Sequence, residues 1–97
     1  MLPIRFYPDT YQEIRESYNW YESKSKGLGE KFLKELEKSF SAIRQTPNTY
    51  PMVSKNIRRI LVNKFPYGIL YKNTLTEIYV VAVMHLKRKP YYWRKQI

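Results

Sequence analysis

Along this chain the spacing of apolar positions changes character twice. Residues 3–7 alternate, with Ile4 and Phe6 on one side and Arg5 and Tyr7 on the other, as in a short strand. Pro8-Asp9 stops it. Tyr11, Ile14, Tyr18 and Tyr21 then recur at helical spacing, with Glu13, Arg15, Glu16 and Glu22 to their sides. Asp9, with Gln12 three residues on, resembles a capping box opening that helix. Ser25-Lys26-Gly27 breaks it. A second stripe of Phe32, Leu33, Leu36, Phe40 and Ile43 predicts a helix from about 29 to 45, ended by Pro47. Two helices of similar length joined by a tight glycine turn should form an antiparallel hairpin.

Residues 46–56 read as a loop of mixed polarity, with prolines at 47 and 51. From Ile57 the period returns to that of a strand. Residues 58–65 form one, Pro66 marks a turn, and 67–72 form its hairpin partner. Residues 73–76 turn again, and 77–86 make the last strand. Its unbroken apolar run of Ile78, Tyr79, Val80, Val81, Ala82, Val83 and Met84 suggests burial on both faces, hence a central place in the sheet. The expected class is α+β in the order β-α-α-β-β-β, a helical hairpin packed on a small, twisted, mainly antiparallel sheet. Residues 1–97 read as one domain, with no internal repeat or low-complexity segment.

Charge sharpens this picture. The chain carries a net charge of +10. Residues 53–97 hold ten Lys/Arg against a single acid, Glu77, whereas residues 1–52 hold eight bases against seven acids. Such asymmetry speaks of acidic or phosphate-bearing partners, not of fold. There is no cysteine, so no disulfide framework, thiolate metal site or thiol nucleophile, which suits a reducing cytoplasm. No apolar run approaches a membrane span, and the first residues lack the apolar region of a signal peptide. A soluble, cytoplasmic domain is expected, with no membrane partner. Ten Tyr, four Phe and two Trp are mostly core filler by their spacing, but Tyr91, Tyr92 and Trp93 fall outside it.

Candidate chemistry gathers where the last strand emerges. Arg58 and Arg59 are strand neighbours, so their side chains point to opposite faces. One faces solvent or a ligand and the other lies against a helix or an acid; the order of the two residues leaves open which. His85, the only histidine, reads either as a strand-end residue with one nitrogen satisfied by backbone, or as a neutral imidazole in an electropositive site that could act as general base in RNA cleavage. Lys87, Arg88 and Lys89 are either a solvated run before Pro90 or a phosphate-binding group. Tyr92, Trp93 and Arg94 set aromatic faces beside cations, as single-stranded RNA platforms and protein hot spots both do. A Gly-rich phosphate loop and a Ser/His/Asp set are missing, a lone histidine makes no metal site, and no cofactor is expected.

The element order, the segment from Arg59 through Phe65-Pro66-Tyr67 to Tyr71, and the pattern His85-x-x-Arg88-x-Pro90-x-x-Trp93 together resemble the RelE/ParE superfamily of bacterial toxins, and the ParE branch more than RelE. The likeness spans essentially the whole chain. It implies a toxin of a type II toxin–antitoxin system, silenced by a cognate antitoxin that is often acidic, with growth inhibition and plasmid stabilization as its setting. The ParE branch is associated with poisoning DNA gyrase without enzymatic activity of its own. RelE-like members are ribosome-dependent mRNA endonucleases.

On the RelE-like alternative the catalytic positions would be Arg59 (or Arg58), His85, Arg88 and Tyr92, with Arg88 on the transition-state phosphate and Tyr92 or His85 as base or acid. Arg58, Lys64, Lys87, Lys89, Trp93 and Arg94 would bind the nucleic acid or other target. A binding module that keeps only the antitoxin contact is the third reading. The resemblance implies a cognate antitoxin, and DNA gyrase or ribosome-bound mRNA as target.

Overall fold

The computed structural model describes residues 2–88. Its elements are β1 (Ile4–Phe6), α1 (Asp9–Lys24), α2 (Leu28–Gln45), β2 (Met52–Ser54), β3 (Ile57–Leu61), β4 (Tyr67–Asn73) and β5 (Ile78–His85). The strands form one sheet in the order β1-β5-β4-β3-β2. β1 runs parallel to β5 and every other pair is antiparallel. The expected α+β architecture is what forms, with β5 inside the sheet.

Three features of the element boundaries differ from the sequence-based expectation. The stretch read as a loop before Ile57 contains β2, a three-residue edge strand that pairs with β3 across a register shift. Asn56, at φ 62, closes the turn between them, a conformation asparagine tolerates better than most residues. Three residues are too few to show a period, so the pattern carried no signal. β3 ends at Leu61 rather than running on to Phe65. Lys64 takes a left-handed φ of 69, and the Val62 N–H donates to the Tyr67 carbonyl at 2.9 Å, which reverses the chain four residues earlier than expected. The α1 capping box does not form either. Pro8 is the cap, no side chain caps the helix, and Gln12 Nε2 donates to Glu16 Oε1 instead.

The helices cover one face of the sheet. Tyr21, Phe32, Leu36 and Ile43 pack on Ile60, Val62, Tyr67, Ile69, Tyr71, Ile78, Val80 and Val83. Tyr11, expected in the inner stripe of α1, is 57% exposed and only flanks the core, its ring 5.6 Å from that of Phe6. Ile57, Leu70, Val81 and Ala82 form a second cluster. The run from Ile78 serves both because β5 bulges. Leu70 pairs with Ala82 while Tyr71 pairs with Val80, so Val81 is an extra residue. Val81 and Ala82 therefore both join Leu70, while Val80 and Val83 stay with the helices.

The helical hairpin is locked at its tip. Gly27 enters α2 at φ 87, and the Glu22 carboxylate accepts the N–H groups of Gly27 and Gly29, each at 2.9 Å. These are among the donors that a helix start leaves without an internal partner. Tyr18 Oη donates to Glu30 across the turn.

Candidate functional site

Register decides the fate of the two neighbouring arginines. Arg58 pairs with Tyr71, a member of the helix-side core, and Arg59 pairs with Leu70 of the second cluster. Arg58 is half-buried and its Nη1 donates to the Tyr50 carbonyl at 2.7 Å, tying the chain before β2 to the sheet. Beside it, Tyr71 Oη donates to the Pro47 carbonyl at 2.6 Å, and burial pushes the Tyr71 hydroxyl up to about 12. Arg59 lies on the face turned away from the helices. Its stem crosses Gly68, where a Cβ would stand 3.2 Å from Arg59 Cδ. Its buried Nε has no hydrogen-bond partner among the described residues.

His85 ends β5 directly across from Tyr67, and the two rings meet edge-on with centroids 5.3 Å apart. Its Nδ1 accepts the Lys87 N–H at 3.1 Å. A neutral imidazole has one acceptor nitrogen, so that bond places the ring proton on Nε2 and occupies the lone pair a general base needs. The strand-end reading of His85 describes its geometry. With Glu16, Ser17, Trp20, Tyr21, Pro66 and Tyr67 the histidine lines a groove of about 490 Å³ between α1 and the β3–β4 turn. Tyr67 Oη donates to Ser17 Oγ across its floor. Trp20 is 56% exposed, with Lys24 Nζ 4.9 Å from its ring centre.

Arg88 reaches back toward α1. Its Nη1 lies 3.8 Å from Glu13 Oε2, while Glu13 Oε1 accepts the Val83 N–H at 3.1 Å. β1 pairs with β5 only as far as Val80, so Glu13 satisfies a donor on a strand edge that β1 does not reach. Of the other positions singled out in the sequence, Lys87 is exposed, and Lys64 points its Nζ to within 3.7 Å of Glu35 Oε2. Lys89, Tyr92, Trp93 and Arg94 lie outside the described residues. The structure thus sets His85 and Arg88 against α1 and its neighbours, and Arg59 on the opposite face of the sheet.

Neither Glu13, which the pattern sets beside the apolar stripe of α1, nor Glu35 was among the candidate site residues of the sequence. Glu35 sits between Phe32, Leu36 and Ser39 on the buried stripe of α2, and that position was the available signal. Among the described residues no group of three or more His, Cys, Asp or Glu could hold a metal ion. No helix among them is long and apolar enough to cross a membrane.

The family model for the ParE toxin of the type II toxin–antitoxin system parDE matches residues 4–90. The chain belongs to the ParE toxin family. That match takes in both arginines of β3, His85, Arg88 and Pro90. No curated protein sequence matches the chain. Among solved structures, a chain of the chromosomal ParDE TA system from P. aeruginosa is similar with a TM-score of 0.74 at 13% identity, over 88% of this chain and 96% of that one. At that identity the likeness speaks for the fold, and it agrees with the helical hairpin on a five-stranded, mostly antiparallel sheet.

Proposed function

We propose that this ParE-family chain is a toxin silenced by a cognate acidic antitoxin, and that when released it acts on DNA gyrase by binding rather than by cutting RNA. The observation that carries the second half is the state of His85 and Arg88. The histidine's lone pair is committed to the Lys87 N–H, and the guanidinium is engaged by Glu13. Arg59 stands on the other face of the sheet. A ribonuclease needs a base, an acid and a cation converging within hydrogen-bond reach of one phosphate. These side chains make other contacts instead. The asymmetric positive charge favours fast docking onto an acidic partner or a protein–DNA complex.

The test sets two assays side by side with the purified chain. DNA supercoiling by gyrase should be inhibited as the chain is titrated in. In a ribosome-programmed translation reaction, primer extension should show mRNA 5′ ends unchanged. New ends at ribosome-occupied codons, lost in Arg88→Ala, would overturn the gyrase reading and assign Arg59, His85, Arg88 and Tyr92 to an RNA-cutting site. Growth unaffected by expression without antitoxin, from folded protein, would leave a binding module.

A further inference from the structure

One carboxylate of α1 meets the end of β5 at two places. The Glu13 side chain is only 11% exposed. Its Oε1 accepts the Val83 N–H inside the strand, and its Oε2 pairs with Arg88 Nη1 beyond the strand's end. A carboxylate set this deep is stabilised by the donors and positive charge brought to it, so both points of the segment are drawn to α1. β1 does not do this work. It follows β5 no further than Val80, whose carbonyl accepts the Tyr7 N–H at 2.9 Å.

Between the two anchored points the chain reverses on His85. The Arg88 N–H donates to the His85 carbonyl at 3.0 Å, and the Lys87 N–H donates to His85 Nδ1 at 3.1 Å. One histidine thus closes the turn with its main chain and its ring together. The Leu86 N–H is held by the Pro66 carbonyl at 2.9 Å, which fixes where the turn begins. Where it closes is set at Arg88, the residue that Glu13 holds. Left to itself, a bond from an exposed backbone N–H to a nearby ring competes with water on nearly even terms. Anchoring the segment on both sides of the ring removes the freedom that water would exploit.

We propose that Glu13 is the positioning residue of this strand end. By holding Val83 and Arg88 at once it keeps the turn closed, and through the turn it keeps the His85 ring engaged with Lys87. The proposal rests on the reading of His85 and Arg88 as parts of a binding surface, and names the side chain on α1 that presents them as one unit. A carboxylate that merely patched a strand edge would act on Val83 alone.

Amide hydrogen exchange, read residue by residue on the full chain by NMR, tells the two roles apart. Glutamine keeps an oxygen for the Val83 N–H but offers the guanidinium no charge. Glu13→Gln should therefore leave Val83 exchange within about twofold of the parent while speeding Lys87 exchange about three- to fivefold, the scale of one partly exposed ion pair. Arg88→Gln should do the same from the other partner. Glu13→Ala removes both contacts and should speed Val83 exchange about tenfold as well. His85 is the chain's only histidine, so its ring nitrogen signals are unambiguous, and in Glu13→Gln they should depart from the pattern of an acceptor Nδ1. Parent-like Lys87 exchange in either glutamine variant would reduce Glu13 to an edge patch and overturn the proposal. Equal acceleration of Val83 and Lys87 in Glu13→Gln would report general loosening and overturn it too. Gyrase inhibition by the parent reads the target separately, so its absence with the exchange pattern intact removes the gyrase reading and leaves Glu13 in its role.

Discussion

At the scale of single residues, strand alternation dictates that Arg58 and Arg59 part company, but it leaves their sides open because the pattern around them is apolar on both faces. Only pairing to β4 resolves it, placing Arg58 under the chain before β2. Arg58→Ala is accordingly expected to cost about 1–3 kcal/mol, through the lost bond to the Tyr50 carbonyl and the lost packing of its stem. Urea unfolding measures it. Tyr71 gives a pH signature of the same corner. Its hydroxyl is fully buried and pushed up to about 12, against 10.0 for a free tyrosine. The folded state therefore holds its proton more tightly than the unfolded chain. That stabilisation is complete below about pH 10 and is lost as pH rises toward 12, about 3 kcal/mol in all. Tyr71→Phe should flatten that part of the alkaline stability curve, and an unchanged slope would locate it in another group.

At the scale of elements, the helices and the glycine turn between them were legible because the stripes repeat over several turns and Gly27 breaks them, whereas the contacts that lock the turn were not. The hairpin lock depends on Gly29, where an added Cβ would stand 2.8 Å from two Tyr18 ring carbons and 2.9 Å from Glu22 Oε1. Alanine is the better helix former by about 1 kcal/mol, yet Gly29→Ala should destabilise by about 1–3 kcal/mol, because packing overrides propensity at a close approach. Shortening the obstacle with Tyr18→Ala should shrink the penalty, and a double-mutant cycle of thermal or urea unfolding reads that coupling. The β3–β4 turn shows the same lesson in reverse. Pro66 announced the turn, but a run of strand-forming residues hid its start, since nothing about a lysine announces a left-handed backbone. Lys64→Gly should leave stability level or raise it by about 0.5–1 kcal/mol, because the relief at position 64 offsets the loss of a 3.7 Å pair whose buried Glu35 carboxylate keeps Lys38 as its partner.

At the scale of the whole molecule, the described part of the basic half spreads its charge over more than one side of the fold. Lys64 turns to α2 and joins Lys31, Lys34 and Lys38, Arg59 lies beyond the sheet, and Arg88 is drawn to Glu13 on α1. The element order and the His85-to-Trp93 pattern were enough to indicate the family. They were not enough to say what His85 does, because its role depends on which nitrogen the backbone engages, a matter of loop geometry after β5. The decisive experiment follows from that geometry. Asparagine carries a side-chain oxygen that can stand where Nδ1 stands, and it has no group that exchanges a proton near neutral pH. If His85 serves the shape of the strand end, His85→Asn should keep the Lys87 N–H satisfied and retain growth inhibition within about twofold, while His85→Ala should lose part of it along with stability. If His85 moves a proton in RNA cleavage, both variants should fall by the roughly 10²–10⁴-fold that general acid–base catalysis contributes. Growth arrest scored beside thermal unfolding separates the two, since the first outcome ties toxicity to folding and the second cuts it loose.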